Sequence, residues 1–309
     1  MSNYIVRRLL AAIPVLFLVS CLVFIMLDLV PGDSVDALIG QTQGTISPED
    51  AAILREQLGL NDPLPVRYGR WVSGVMQGDF GTSIASRQPV LELIIQRFPS
   101  TLQLTIAGMG LAIVLGFIIG ILAALNRGNF IDTATMAFGM IGVSMPSFWL
   151  GLLLMLVFAV KFQWFPVVSD EGWRGLVLPM ATLGLRAAAI ISRLVRSSLI
   201  EVMSQDYIRV ARAKGLTGWT VVRFHALKNT LIPIVTIVGL QFGSLLGGAI
   251  IVEAVFVRRG MGQLVINAIQ VRDFPVVQGT ILFIALVYVL VNLGVDLLYG
   301  FLDPRIRYG

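Results

Sequence analysis

The chain has 309 residues, 56% of them hydrophobic and only 13% charged, with a mean hydropathy of +0.85. Soluble domains carry about a quarter charged residues, so this balance places the chain in a bilayer and excludes an ordinary soluble domain. The net charge of +5 is spread along an oily sequence rather than clustered on a polar face, which argues against nucleic-acid binding. One cysteine (Cys21) and one histidine (His225) rule out a disulfide and an ordinary zinc site.

Crossing the hydrocarbon core takes about 20 apolar residues. Six runs reach that length: about 9–30, 101–125, 134–160, 176–200, 230–252 and 279–302. The first follows Arg7-Arg8 and passes through Leu18-Val19-Ser20-Cys21, which has the look of a lipoprotein cleavage site. A cleaved signal has an apolar core of only about 7–15 residues. This run continues past Cys21 to Val30, interrupted only by Asp28, and so reads as an anchor that stays in the membrane.

The loop 31–100 is too long to lack structure. Ser47-Pro48-Glu49-Asp50 has the form of a capping box with proline at the first helical position, and Gly59 is placed to end that helix. Residues 64–77 and 89–98 are further amphipathic helix candidates. The loop reads equally as a helical cap on the outer face and as a docking surface for an external partner.

Runs 101–125, 134–160 and 230–252 contain no Asp, Glu, Lys or Arg, whereas the fourth carries Arg186, Arg193 and Arg196. Its lipid-buried part is expected to end near Ile191. Small residues repeat every four positions at Ala112, Gly116, Gly120 and Ala124 in the second run, and at Gly239, Gly243 and Gly247 in the fifth. Such faces let helix backbones approach closely. The second run reads as packing; the fifth, with Gln241 and Ser244 nearby, reads as the lining of a pathway or subunit interface.

The basic residues of short loops set orientation. With the N-terminus inside, the cytoplasmic side holds twelve: Arg7, Arg8, Arg127, Arg193, Arg196, Arg209, Arg212, Lys214, Arg223, Lys228, Arg305 and Arg307. The other side, apart from the long first loop, holds five: Lys161, Arg174, Arg258, Arg259 and Arg272. Both termini are therefore expected in the cytoplasm.

No catalytic or metal-binding residues are expected. There is no G-x-x-x-x-G-K-[ST], H-E-x-x-H or G-x-S-x-G, and the only lysines are Lys161, Lys214 and Lys228; the chain cannot cradle ATP phosphates in a P-loop of its own. His225 reads as a packing residue. Asp28, Arg186 and Asp296 are the ionisable residues within the spans and read as structural, although intramembrane charges also mark transport paths.

Between the fourth and fifth runs lies Tyr207–Gly218, YIRVARAKGLTG. Ala211, Ala213 and Gly215 are small enough for close approach by another protein, and Ala211 and Gly215, one turn apart, are expected to share a helical face. Arg209, Arg212 and Lys214 keep the segment in water. Composition alone fits an ordinary positive-inside loop; the sharper reading is a docking helix for a cytosolic motor.

The segment QDYIRVARAKGLTGWTVVRFHALKNTLIPIVT (205–236) resembles the EAA loop of permease subunits in ABC importers of the dipeptide/oligopeptide class. Family-like phrases run the length of the chain, among them RRLLAAIPVLFLVS, VPGD, GDFGTSI, LPMATLGL, GLQFGSLLGG, RDFPVVQG and VNLGVDLLYGFLDPRIR. The EAA pattern falls on Arg209, Val210, Ala211, Gly215, His225, Leu227 and Lys228. Ala211, Gly215 and Leu227 match it; Arg209 stands at the Glu position and Lys228 at the Pro position, as in the peptide-class variant.

The resemblance implies an all-α, six-span transmembrane domain of a type I ABC importer covering 1–309, with an extracytoplasmic helical loop at 31–100 and a cytoplasmic coupling loop at 193–229. It implies that Arg209, Ala211, Arg212, Gly215 and Leu216 dock an ATPase. The implied partners are a second homologous permease, two ATPase subunits that bind ATP and Mg, and an extracytoplasmic substrate-binding protein. This chain itself is implied to be a non-catalytic inner-membrane subunit without a cofactor, moving dipeptides or oligopeptides inward by alternating access. Glutathione and nickel are the alternative substrates within the family; a stand-alone secondary transporter is the rival outside it.

Overall fold

The computed structural model describes residues 2–33, 35–36, 39, 47–57, 59–168 and 172–302. The architecture is all-α; the extended pairing among the described residues is an isolated bridge between Thr82 and Pro89. The helices are α1 (Ser2–Asp28), α2 (Pro48–Gln57), α3 (Leu64–Met76), α4 (Val90–Leu125), α5 (Phe130–Ser144), α6 (Ser147–Leu154), α7 (Trp173–Met203), α8 (Asp206–Ala213), α9 (Gly218–Val221), α10 (Leu227–Val255), α11 (Met261–Gln270) and α12 (Phe274–Leu302). Two π-helical stretches, Met155–Lys161 and Val222–Ala226, follow α6 and α9.

Among the described residues, five helices are long and apolar enough to cross a membrane, and α5 with α6 makes a sixth span if that bent pair is counted as one. Five of the expected runs are thus single helices. The third is not: it breaks at Met145-Pro146. Pro146 has no N–H to continue the ladder and pushes the residue before it out of the helical region, and Met145 is accordingly extended at φ −77°, ψ 131°. Neither half alone has the roughly 20 residues a crossing needs.

A second correction concerns 89–98, expected as a separate helix. It runs through Pro99 into the second span to form the 36-residue α4. A proline inside a helix removes one backbone bond; ending the helix in apolar surroundings would strand several more polar groups, so the helix continues.

The chain divides into two compact units, one of residues 101–258 with the segment from Leu290 onward, the other of residues 2–100 with 259–289. In the first, α7 is the central helix. Its Leu178, Leu183, Ala187, Ala188, Ile191 and Val195 are buried together with Leu104, Met109 and Ala112 of α4 and Leu245, Ala249 and Val252 of α10. Its arginines lie on other faces: Arg186 and Arg193 are exposed. Lipid tails are as apolar as leucine, so membrane helices associate through close packing of small residues. A Cβ on Gly116 would sit 2.7 Å from Ile191, one on Gly120 2.6 Å from the Ser192 carbonyl, and one on Gly184 2.6 Å from the Gly108 carbonyl. The small-residue face of the second span is packing, as expected.

In the other unit, Val90 and Ile94 of α4 pack with Met261 and Ala268 of α11 and Val276 and Val277 of α12. Helix α2 starts as expected: the Ser47 hydroxyl accepts from the Asp50 amide at 3.1 Å and donates to its carboxylate at 2.7 Å. It ends at Gly59, with φ +65°, where the Gly59 and Leu60 amides donate to the Glu56 and Arg55 carbonyls, the Schellman arrangement. Asp28 has the structural part expected of it, pairing with Arg67 of α3 at 2.7 Å. The buried Asp273 carboxylate accepts from the Ser83 hydroxyl at 2.5 Å and from the Ile84 and Ala85 amides, fastening the loop before α4.

The α4–α7 contact yields a test. Gly120→Leu pushes a side chain into the Ser192 backbone, which cannot swing aside, and overpacking costs about 1–3 kcal/mol. Gly110, on the same helix with nothing within 4 Å of its Cβ position, accepts leucine without that cost. Thermal melts of the purified variants in detergent, followed by size-exclusion recovery, are expected to show a lower midpoint for Gly120→Leu and a parental one for Gly110→Leu. Equal midpoints would remove this contact from the account.

Candidate functional site

The polar stretch after α7 folds into a compact corner. Gln205 caps α8 in an extended conformation and Asp206 lies in its first turn, where a negative charge suits the helix N-terminus. Ile208 and Ala211 are buried, packed with Leu199 of α7, Val221 of α9 and Ala226 of the π-helical stretch. Helix α8 then stops. Gly215 has φ +82°, and the Gly215 and Leu216 amides donate to the Arg212 and Ala211 carbonyls. Thr217 begins α9, its hydroxyl accepting from the Thr220 amide at 3.4 Å.

This geometry corrects the expectation that Ala211 and Gly215 share an exposed helical face. Ala211 is 5% exposed: its small size lets α8 lie against the end of α7. Gly215 lies beyond the helix, where only a residue free of a Cβ adopts a left-handed turn cheaply. The outward surface is made instead by Arg209, Val210 and Arg212, with Leu216 beside them at the turn. Trp219 at 61% and Phe224 at 63% exposure add aromatic surface on the following segment. Neither aromatic residue was singled out from the sequence, although large apolar side chains in a short polar loop are a recognisable mark of an interaction surface. Tyr207, also exposed, accepts from the Asn229 side chain at 2.7 Å, tying α8 to α10. The Arg209–Asp206 pair, 3.4 Å apart and exposed, adds little stability.

A second polar device holds this region. Asp132, buried at the start of α5, receives two bonds from the Arg196 guanidinium of α7, at 2.5 and 2.7 Å, and one from the Gly128 amide. Such bidentate pairs fix orientation as well as supply energy. The π-helical Val222–Ala226 joins the corner to α10; π turns inside helices are frequent at functional sites. His225 lies in this stretch, half-buried.

On α10 the expected face divides into different surroundings. Gly239 lies against Val295 of α12, whose side chain occupies the space a Cβ would need. Gly243 is buried and Gln241 half-buried, while Ser244 and Gly247 are exposed, with nothing within 4 Å of a Cβ at Gly247. The open part of the face is therefore Ser244 with Gly247, one turn apart. In the last turn of α10 Glu253 is fully buried, and Arg258, just past its end, is nearly so; the Arg258 guanidinium donates to Gln103 at 2.8 Å. Burial pushes the Arg258 guanidinium below its ordinary pKa against the pull of Glu253. From the sequence alone Arg258 reads simply as a residue of an outer loop. The Asp296 side chain and the terminal Asp303–Arg307 motif lie outside the described residues.

Residues 112–308 match the family described as binding-protein-dependent transport system inner membrane component, and residues 1–105 match the N-terminal membrane component of the same systems. The glutathione transport system permease protein GsiC of Salmonella paratyphi A is 45% identical over 308 residues, with both chains covered completely. GsiC of Escherichia coli is 45% identical over 312 residues, again with complete coverage. Among solved structures, an inward-facing MetNI methionine ABC transporter aligns with a TM-score of 0.57 at 21% identity, over 69% of this chain and 97% of the other. An amino acid ABC transporter with histidines aligns at 0.52 and 18% identity, over 69% and 94%. At these identities the structures speak for the fold, which is the type I importer transmembrane domain. Apolar spans, a helical corner between the fourth and fifth of them, and family matches over nearly the whole sequence converge: the chain belongs to the inner-membrane components of binding-protein-dependent transport systems, and is a multi-pass ABC importer permease.

Proposed function

We propose that this permease carries short peptides inward across the inner membrane, with glutathione as its first substrate, as one half of a pathway completed by a second homologous permease. The observation that supports the substrate is the 45% identity, end to end, to permeases named for glutathione transport. Dipeptides and oligopeptides are the neighbouring substrates in this reading and nickel the more distant one. Residues 1–309 act as one transmembrane domain, with the 31–100 loop outside and the 193–229 loop inside. An external binding protein delivers substrate, and two ATPase subunits bind ATP and Mg; this chain holds no cofactor and performs no catalysis.

Each part of the site has a role in this reading. The corner at Arg209, Ala211, Arg212, Gly215 and Leu216 docks an ATPase: Ala211 packs it from within, Gly215 ends its helix, Arg209, Val210 and Leu216 make the contact, and Arg212 stands at the edge of that contact. Its packing on the end of α7 and its π-helical link to α10 pass the ATPase movement to the spans. Gly239, Gln241, Gly243, Ser244 and Gly247 belong to the pathway or the permease interface, with Ser244 and Gly247 nearest to the partner or the substrate.

The decisive uptake experiment uses the complete complex in proteoliposomes with its binding protein. Glutathione uptake is expected to need internal ATP, with a dipeptide carried less well and nickel not at all. Uptake without the ATPase subunits would favour a stand-alone transporter; uptake of nickel alone would overturn the peptide assignment.

The orientation rests on the twelve-to-five bias of basic residues and is tested separately. In a Cys21→Ala background, single cysteines at Asn129 and Thr217 are expected to react with a membrane-impermeant maleimide only after the cytoplasmic face is opened. One at Gln88, exposed in the first loop, is expected to react in intact spheroplasts. The reverse pattern would defeat the docking reading.

The docking surface is tested by Val210→Glu. Val210 is 53% exposed, so the change spares the fold while placing a charge in a contact where it would be desolvated at a cost of several kcal/mol. ATP hydrolysis that no longer rises with loaded binding protein, and uptake reduced at least tenfold, are expected from a chain inserted at parental level. Parental hydrolysis and uptake would remove α8 from the coupling path.

A further inference from the structure

A groove of about 330 Å³ opens where α4 and α7 end beside α8. Its apolar floor includes Leu125 at the end of α4 and Ile200 and Met203 near the end of α7; Arg127 and Arg212 line it together with Ser204. Both arginines are exposed. Neither has an ion pair among the described residues, and Asp132, the acid that Arg127 influences, already has both oxygens on Arg196. The Ser204 hydroxyl is used on the Glu201 carbonyl, so the two guanidinium groups are the groove's unspent donors.

The apolar side of the groove continues along α4. Ile118, Leu122 and Leu125 are each about half exposed, at 51, 47 and 48%. Their i, i+4, i+7 spacing puts them in one stripe, running from the groove back along a helix long and apolar enough to span the bilayer. A stripe of this kind meets acyl chains, while a pair of guanidinium groups at its end meets a phosphodiester.

We propose that the groove holds one anionic phospholipid, its phosphate between Arg127 and Arg212 and an acyl chain along Leu125, Leu122 and Ile118. The observation that favours a lipid over a soluble anion is the continuity of the floor with the exposed stripe, which inorganic phosphate would leave uncovered. Because Arg212 belongs to α8 and Arg127 to the turn after α4, the lipid bridges the docking corner to the second span. The proposal requires only that this end of the spans meets a membrane surface; it does not depend on which side is cytoplasmic or on the substrate.

The test is native mass spectrometry of the purified complete complex, titrated with phosphatidylglycerol and with phosphatidylcholine of the same acyl chains. The parent is expected to retain phosphatidylglycerol in clear preference. A basic residue near a membrane surface contributes about 1 kcal/mol toward anionic lipid, so Arg127→Gln and Arg212→Gln are each expected to lower retention about fivefold. Arg174→Gln, altering an arginine that lies before α7's central part and donates to the Trp164 carbonyl, is the control expected to retain lipid like the parent. Arg127→Lys is expected to restore most of what Arg127→Gln loses. Equal retention of the two lipids, parental retention by Arg127→Gln, or displacement of phosphatidylglycerol by millimolar inorganic phosphate would each overturn the proposal. So would retention by the isolated permease that disappears once the ATPase subunits assemble, since the groove would then be theirs.

Discussion

The constraint on which the rest of the first unit depends is the close approach of α4 and α7. In lipid there is little hydrophobic gain in bringing two apolar helices together, so the pair is held by fit. Gly116, Gly120 and Gly184 remove the side chains that would keep the backbones apart. That contact gives α7 its central place, buried against α4 on one side and α10 on another. It also decides where the end of α7 lies, and therefore where Leu199 can receive Ile208 and Ala211 of the corner built on α8. The corner is positioned by packing, with Asp132 and Arg196 adding a directional bond that sets α5 on the same helix.

The corner is built rigidly. Its helix is short, at eight residues, well below the length at which isolated helices persist in water. It is held by burial of one face and by the left-handed stop at Gly215. A short helix with its inner face packed moves as a body with whatever it is packed on. In the proposed function, motion imposed on its outer face passes to the end of α7, on which it is packed, and through the π-helical stretch to α10. The exposed pair Ser244 and Gly247 lies on the same α10, so the surface proposed to dock an ATPase and the open part of the fifth span are linked through packed helices.

Much of this was legible in the sequence, and the failures have particular causes. Apolar runs placed five of the spans because the bilayer demands about 20 apolar residues whatever the packing. Ser47-Pro48-Glu49-Asp50 and Gly59 placed α2 because capping is local chemistry. The break at Met145-Pro146 was missed because the run is apolar on both sides of the proline, and hydropathy does not register a missing N–H. The extension of α4 through Pro99 was missed for the opposite reason, a proline that the surrounding apolar residues make tolerable. Ala211 and Gly215 were read as one face from their spacing alone; spacing cannot reveal that the helix ends between them. Arg196 with Asp132, 64 positions apart, and Arg258 with Gln103 are tertiary pairings, outside the reach of any local pattern.

The central claim is that the outer surface of α8, and not its small residues, meets the ATPase. Cysteine cross-linking in the assembled complex reads this directly, with a single cysteine in place of Val210 or of Ala211 in a Cys21→Ala background and a short bifunctional maleimide. Adducts with an ATPase subunit from the Val210 position, and none from the Ala211 position, are the predicted result. Adducts from Ala211 with none from Val210 would mean that α8 presents its other face, and would contradict the account.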